Sequence, residues 1–143
     1  MPDRKELLKR EVWQRFKTMQ TVYLGTVENE QPRVRPVTML FLENRFWILT
    51  GTADDKVTHL RSNPQTEFCL PLPEDRGTGY VRFSGIAIIV SDKQTKVRIA
   101  ENCPYFRDHW QDTNDPQFTL LEIKAAGIDY LKPGEYLSQK LTV

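Results

Sequence analysis

The sequence has few cysteines and almost no net charge. Its 143 residues contain two cysteines, Cys69 and Cys103, which form neither a CxxC pair nor a metal-binding spacing. We therefore expect two reduced thiols, as in a cytoplasmic protein. The formal charge is +1, whereas a nucleic-acid-binding protein usually carries a basic excess. Nucleic acid is not an expected partner, and no metal site is predicted.

Long hydrophobic segments are also missing. No apolar run approaches the roughly 20 residues that span a bilayer. The first ten residues, MPDRKELLKR, are charged and lack the apolar core of a signal peptide. We therefore expect neither membrane association nor secretion. The length suits a single domain, residues 1–143, with one buried core.

The common catalytic motifs are absent from the sequence. His59 and His109 do not assemble a Ser-His-Asp order, and there is no HExxH metal motif. The glycine-rich phosphate loop and the G-x-G-x-x-G dinucleotide motif are missing as well. If the protein is an enzyme, a cofactor is expected to supply the chemistry.

What the sequence does contain is a series of short strand patterns. Alternating and β-branched stretches predict strands over residues 21–28, 33–42, 45–50, 65–72, 78–90 and 118–125. Residues 127–131 continue or bend the sixth of these, and a short last strand is predicted over 135–141. The short turns favour antiparallel pairing, and closure into a barrel would remove the sheet edges. We expect a mainly β fold, a six-stranded antiparallel barrel with flanking helices.

Helices are predicted at four places. An amphipathic helix is predicted over residues 3–20 with Asp3 as its cap, and a shorter one over 53–61. Asp92 is predicted to cap a helix that ends at residue 101, and residues 105–110 to add a helical turn. A turn is predicted over residues 71–77, and Gly85 predicts a bulge in its strand.

A candidate anion site lies between the second strand and the second helix. Arg33 and Arg35 share one strand face, and two arginines side by side suit a phosphate. The third strand ends at Thr50, and Thr52 leads into a helix N-terminus, which attracts anions; Lys56 lies in its first turns. Arg35, Thr50, Thr52 and Lys56 are thus candidate phosphate ligands. Alternatively, the arginines lie on a solvated face and Thr52 only caps the helix.

The first residues of that helix oppose the phosphate interpretation. Asp54 and Asp55 suit the helix dipole, but they would repel a phosphate bound at the same place. We therefore expect either that both carboxylates point to solvent or that the site is weakened.

The order of these motifs resembles the pyridoxamine 5'-phosphate oxidase-like family, in its small general-stress-protein branch. The resemblance is carried by Arg35-Pro36-Val37 on a strand, by Thr50 at a strand end, and by Lys56-x-x-x-Leu60-x-x-Asn63-Pro64. Further pieces fit the same pattern: Phe83-Ser84-Gly85-Ile86-Ala87, Tyr105-Phe106 and Asp115-Pro116-Gln117-Phe118. The resemblance covers nearly the whole chain.

The resemblance implies a split β-barrel that forms a homodimer, with FMN at the dimer interface. Arg35 and Lys56 would hold the phosphate with help from Thr50 and Thr52. Backbone near Pro36-Val37 and Leu49-Thr50 would face the flavin ring, and the partner subunit would add groups that include Trp110. The cofactor-binding residues implied are Arg35, Pro36, Val37, Leu49, Thr50, Thr52, Lys56 and Trp110.

Three functions follow from this interpretation. The first is an FMN-dependent oxidoreductase that transfers a hydride to or from a small, unidentified molecule. The second is a non-catalytic module that binds a flavin or another ligand, as a carrier, sensor or stress-response protein. The third keeps the fold but exchanges FMN for a deazaflavin. No catalytic side chain is predicted for any of them.

Overall fold

The computed structural model describes residues 2–143. The helices and strands follow in the order α1 (Arg4–Gln14), β1 (Met19–Glu28), β2 (Gln31–Leu42), β3 (Arg45–Gly51), α2 (Asp55–Ser62), β4 (Gln65–Glu74), β5 (Gly77–Ile89), α3 (Lys93–Glu101), α4 (Phe106–His109), β6 (Phe118–Leu131) and β7 (Gln139–Thr142).

All strand pairs are antiparallel, and six of the strands close into a ring. The sheet order is β3-β2-β1-β4-β5-β6-β7, and β3 also pairs with β6. The long strand β6 closes the ring, because it pairs with β5 along one edge and with β3 through the first part of its other edge, whose last part pairs with β7. The predicted mainly β barrel with flanking helices is confirmed, and β7 adds a short strand outside the ring.

The interior of the barrel is filled by aromatic side chains. Phe46, Phe68 and Phe83 are almost fully buried and lie with ring centroids 5.0 to 5.3 Å apart. Helix α1 closes one end of the barrel, where Trp13 stacks on Phe46 at 5.6 Å. Such offset aromatic contacts add to the burial of apolar area, so α1 is part of the core.

The first helix is shorter than predicted. Its cap is confirmed, since Asp3 accepts a hydrogen bond from the backbone N–H of Glu6 at 2.9 Å. The helix ends at Gln14, however, and the prediction of a helix to residue 20 is wrong. The physical reason is pairing with β2: Met19 lies opposite Leu40 in the ladder, so these residues are drawn into β1. An apolar spacing of three or four residues does not by itself distinguish a helix from a strand here.

Strand β4 is longer than predicted. The turn predicted over residues 71–77 is wrong, because β4 continues to Glu74 and β5 begins at Gly77. Strand β4 pairs with β1 only from Glu67 to Cys69, so Pro71 and Pro73 lie where β4 has β5 as its sole ladder neighbour in residues 2–143. Proline, which lacks an N–H, is tolerated at such an edge.

Two smaller predictions are confirmed and one is corrected. The ladder between β5 and β6 shifts register at Ser84/Gly85, where a bulge was predicted. Asp92 caps α3. The second helix begins at Asp55 rather than at residue 53, because the side chain of Asp54 accepts a hydrogen bond from the N–H of Lys56 and serves as its cap.

A second, smaller core lies on the outer face of β3. Trp47 is fully buried there and packs with Leu49, Ile99 and Phe106. Helices α3 and α4 of the same chain therefore cover this side of the barrel. Within residues 2–143, no helix is both long and apolar enough to cross a bilayer.

Candidate functional site

Strands β2 and β3 close the ring over only three residue pairs and separate along the rest of their length, which leaves a seam in the barrel wall. These two strands pair only where Leu40, Phe41 and Leu42 face Trp47, Phe46 and Arg45. Beyond this contact, β2 has β1 as its one ladder partner in the described chain, and β3 has β6. Backbone N–H and C=O groups at this seam are available to a bound molecule, because each strand has one unpaired edge there.

A groove runs along this seam and consists of two adjoining pockets of about 410 and 480 Å³. The first is lined by Met19, Pro36, Val37, Thr38, Ile48, Leu49, Lys56, Tyr105 and His109. The second is lined by Leu49, Thr50, Gly51, Ala53, Asp54, Tyr105, His109, Trp110 and Gln117. The groove thus brings together Pro36, Val37, Leu49, Thr50, Lys56 and Trp110, six of the eight residues predicted from the sequence.

One end of the groove holds an ammonium group. Lys56 is carried by the first turn of α2, and its side chain is only 8% exposed. Its Nζ donates a hydrogen bond to Thr50 Oγ1 at 2.8 Å and lies 3.1 Å from Asp54 Oδ1. The Asp54 side chain is 48% exposed, but it is paired with Lys56 and does not point away from the site, as one of the two outcomes expected from the sequence would require. A lysine ammonium has three N–H donors, so one remains for a ligand in the groove.

The charges at this end also affect Asp54. Burial alone would raise its pKa, but hydrogen bonds from the side chain and backbone of Lys56, together with the charges of Lys56 and Arg35, hold the pKa of Asp54 below its ordinary value. Asp54 is therefore an anion at neutral pH.

Arg35 lies near this end but lines neither pocket of the groove as the described residues define it. Its Nη1 donates to the carbonyl oxygen of Leu24 at 3.1 Å, and its Nη2 lies 3.4 Å from Nδ1 of His59. Partial burial lowers the pKa of Arg35, and the nearby charges of Asp54 and Asp55 oppose this change. Arg35 thus contributes a positive potential without reaching the groove wall.

His59 lies beside Arg35, behind the groove wall. It is buried on α2, and its Nδ1 lies 2.8 Å from Thr26 Oγ1. Its Nε2 lies 3.5 Å from Glu28 Oε2. These contacts fit a packing role for His59.

Thr52 makes its side-chain hydrogen bonds to Pro116 and Thr119. Its hydroxyl donates to the carbonyl oxygen of Pro116 at 2.7 Å and lies 2.8 Å from Thr119 Oγ1. It does not cap α2, because Asp54 does. Thr52 therefore ties the β3–α2 turn to β6 and fixes where α2 begins.

The far wall of the groove comes from the segment after α3. Trp110 was expected from the partner subunit, but it lines the groove of its own chain and packs against Phe106 and Phe118 at 5.5 and 5.0 Å. Tyr105 and His109 line both pockets and lie edge to face at 6.1 Å.

Tyr105 presents a neutral hydroxyl. Burial raises its pKa, the neighbouring Cys103 raises it further, and a hydrogen bond with the backbone of Leu49 offsets part of the change. The phenol therefore stays protonated across the physiological range. It is suited to donating or accepting a hydrogen bond and is not a base at neutral pH.

Tyr105 and Gln117 were not among the predicted site residues. The available signal for Tyr105 was Pro104, which follows the end of α3 and keeps the chain from continuing as a helix there. Predicting their position also required knowing that α3 packs on the outer face of β3.

Comparison with known proteins supports the same fold. The family model described as Pyridoxamine 5'-phosphate oxidase matches residues 8–132. No curated protein sequence matches this chain.

Three solved structures illustrate the likeness. General stress protein 26 from Bacillus anthracis str. Sterne is 21% identical, with a TM-score of 0.74 over 95% of this chain and 98% of that one. A pyridoxamine 5'-phosphate oxidase-related, FMN binding protein from Nostoc punctiforme PCC 73102 is 20% identical, with a TM-score of 0.68 over 84% and 78%. A heme binding protein from Mycobacterium smegmatis is 13% identical, with a TM-score of 0.71 over 87% and 53%. At these identities the likeness establishes the fold.

Proposed function

The chain belongs to the pyridoxamine 5'-phosphate oxidase family, and from this premise we propose that it is a flavoprotein that binds FMN in the groove between β2 and β3. The observation that carries the proposal is the seam itself. Near Val37 and Leu49 the two strands leave unpaired backbone edges on opposite sides of one groove. A flat heterocycle with hydrogen-bonding groups at its rim suits such a site.

The residues present fit the two ends of FMN unequally. The ring would lie against Pro36, Val37, Leu49 and Tyr105, which carry no formal charge and line the same pocket as Lys56. The phosphate end would lie at Lys56, where Nζ keeps one free N–H and the hydroxyl of Thr50 can donate. Arg35 adds a positive potential from behind the groove wall. The carboxylate of Asp54 opposes a phosphate there.

The proposed activity is oxidoreduction of a small molecule. Bound FMN would supply the hydride-accepting centre, and the protein would bind and orient it. Tyr105 and His109 line the groove in positions from which they could contact a substrate. Because the phenol of Tyr105 is neutral, its role would be to orient a polar substrate group by hydrogen bonding.

We further propose that the protein is a homodimer, with a second copy covering the outer face of β1 and β2. This face exposes apolar side chains: Met19 is 43%, Tyr23 44% and Val34 73% exposed. Met19 and Pro36 belong both to this face and to the groove lining, so a second copy would also cover the ligand. Closed two-fold dimers are the commonest solution for such a surface.

Size measurement tests the dimer. The wild type is expected near twice the 16.8 kDa chain mass, whereas Val34→Glu is expected to be monomeric and to lose flavin affinity. Leu7→Glu is the matched control, since Leu7 is 52% exposed on α1. A wild-type monomer that holds FMN would contradict the dimer proposal.

A cytoplasmic location completes the proposal. Cys69 and Cys103 are both free thiols in the structure, as suits a reducing compartment.

The experiment that tests flavin binding is an absorbance spectrum of the purified protein before and after addition of FMN. A flavin spectrum that persists through desalting supports the proposal, and a colourless protein that takes up no FMN refutes it. Parallel titration with a deazaflavin shows which cofactor the groove prefers.

A non-catalytic flavin-binding module is the second candidate function. The Asp54–Lys56 ion pair favours this candidate, because the pair weakens the hold of Lys56 on the cofactor's phosphate. Steady oxidation of a reduced nicotinamide cofactor by the loaded protein, with an electron acceptor present, would exclude this alternative.

A further inference from the structure

The ion pair at the end of the groove takes up the donors that a phosphate would use. A single atom, Oδ1 of Asp54, accepts the backbone N–H of Lys56 at 3.2 Å and lies 3.1 Å from Nζ of the same residue. These are one of the free N–H groups at the α2 N-terminus and the ammonium group at this end of the groove. A ligand anion must therefore share them with the carboxylate or displace it.

We propose that Asp54 is a built-in counter-anion that occupies the phosphate subsite of the groove, so that the site discriminates little between FMN and the phosphate-free flavin, riboflavin. The proposal rests on the flavin site proposed above. It makes Asp54 the residue that sets ligand specificity, through competition with the ligand's anionic end.

The surrounding charges support this role. Lys56 contributes one positive charge to the groove lining and Asp54 one negative charge, so that this end is neutral overall. Arg35, the nearest further cation named at the site, has its guanidinium directed at the carbonyl of Leu24 and at His59. It is therefore not positioned to form the paired hydrogen bonds that would compensate for Asp54.

Asp54 is also well placed to persist as the occupant. Its carboxylate caps the N-terminus of α2. An anionic ligand that displaced the carboxylate would therefore also remove this cap. Its neighbour Asp55 has the same charge and lies one residue along; both residues are exposed, but Asp55 appears in no ion pair of residues 2–143. The two carboxylates are therefore predicted to differ in their effect on a ligand.

The test compares Asp54→Asn with Asp55→Asn in the full-length apo protein. Both substitutions remove one negative charge, and asparagine keeps the N-cap at position 54. Asp54→Ser, which also keeps a cap, is the second variant in case asparagine disturbs the turn. Amide spectra establish that each variant is folded.

Flavin affinity is measured by fluorescence titration with FMN and with riboflavin. We expect Asp54→Asn to bind FMN about tenfold more tightly or better, because like charges held together at a binding site oppose binding. Riboflavin affinity is expected to stay within about threefold, and Asp55→Asn to stay within about threefold for both ligands. An unchanged FMN affinity in Asp54→Asn, or an equal gain for both flavins, overturns the proposal.

Inorganic phosphate gives a readout that needs no flavin. Amide shifts of residues 50–57 are followed during phosphate titration, and we expect the midpoint to fall by about tenfold in Asp54→Asn. If neither protein binds any flavin, the proposed function fails, while the phosphate titration still decides the role of Asp54. Equal phosphate midpoints in wild type and Asp54→Asn would overturn it.

Discussion

The contribution of Lys56 to flavin binding is the prediction that the geometry defines most sharply. We consider Lys56→Met, which keeps a long apolar stem and removes the ammonium group. That group is nearly buried, with a side-chain exposure of 8%, and has one N–H donor left after Thr50 and Asp54 are counted. Its loss deletes one charge-assisted hydrogen bond to a phosphate and leaves Pro36, Val37 and Leu49 unchanged.

The magnitude depends on whether Asp54 is present. A charge-assisted hydrogen bond contributes about 1.5–3 kcal/mol, which corresponds to roughly 10- to 150-fold in the dissociation constant. In the wild type the ammonium is shared with Asp54, so we expect Lys56→Met to weaken FMN binding by about tenfold. In an Asp54→Asn background the ammonium is free for the ligand, and the same substitution is expected to cost roughly 100-fold. The two effects should therefore be non-additive.

The assay is a double-mutant cycle of FMN and riboflavin dissociation constants, measured by fluorescence titration at fixed salt. The FMN-to-riboflavin ratio removes any general effect of the substitutions on the fold. Lys5→Met, which changes an exposed lysine on α1, is the matched control. If Lys56→Met weakens both flavins equally, or acts identically with and without Asp54, the assignment of the phosphate end is refuted.

Three further predictions concern stability and can be checked by urea unfolding at one fixed protein concentration. Phe46→Ala is expected to cost about 3–5 kcal/mol, because it leaves a cavity among the packed barrel rings; a cost below about 1 kcal/mol would contradict this core. Gly85→Ala is expected to cost about 1–3 kcal/mol, since a Cβ there would overlap the carbonyl oxygen of Lys124; an unchanged midpoint would show that the bulge adapts freely. For Asp129, burial raises the pKa, but hydrogen bonds from Lys140 and Ser138 and the charge of Arg82 leave the pKa below its ordinary value. The ionised Asp129 therefore stabilises the fold above the unfolded-state pKa of about 3.9, and this stabilisation is lost as the pH falls through the lower folded-state pKa. Asp129→Asn should therefore be less stable than wild type at pH 7, with the difference shrinking in strong acid; a constant difference would contradict the ion pair.

The strands could be predicted from the sequence because a two-residue period has one structural meaning when the turns are short. The end of α1 could not, because Met19 fits both a helical spacing and a strand. Its place was decided by Leu40, a partner 21 positions along the chain that the local pattern does not reveal. The same kind of information was missing at Pro71, where β4 extends past the end of its pairing with β1.

The residue types of the site could be predicted from the sequence, but the directions of the side chains could be predicted less well. Thr50 and Lys56 meet at 2.8 Å as the spacing indicated. Arg35 was expected beside them, but its guanidinium is drawn to the carbonyl of Leu24 and to His59, a contact that exists because α2 packs next to β1. No spacing rule contains that packing.

The charge distribution along the groove has a consequence for how any ligand lies in it. With His109 counted as neutral, the formal charges among the lining residues are those of Lys56 and Asp54, which lie on and just before α2, whereas Val37 and Leu49 are apolar and lie beside the unpaired edges of β2 and β3. A flavin would place its ring beside Val37 and Leu49 and its polar tail beside Lys56 and Asp54. The reverse arrangement would bury a phosphate beside apolar groups and leave the ion pair facing an apolar ring. The orientation of a bound flavin would therefore not depend on how tightly the phosphate is held. Asp54 can weaken the tail's anchor without changing where the ring lies, which is why flavin affinity and flavin placement are expected to respond separately to substitution at this position.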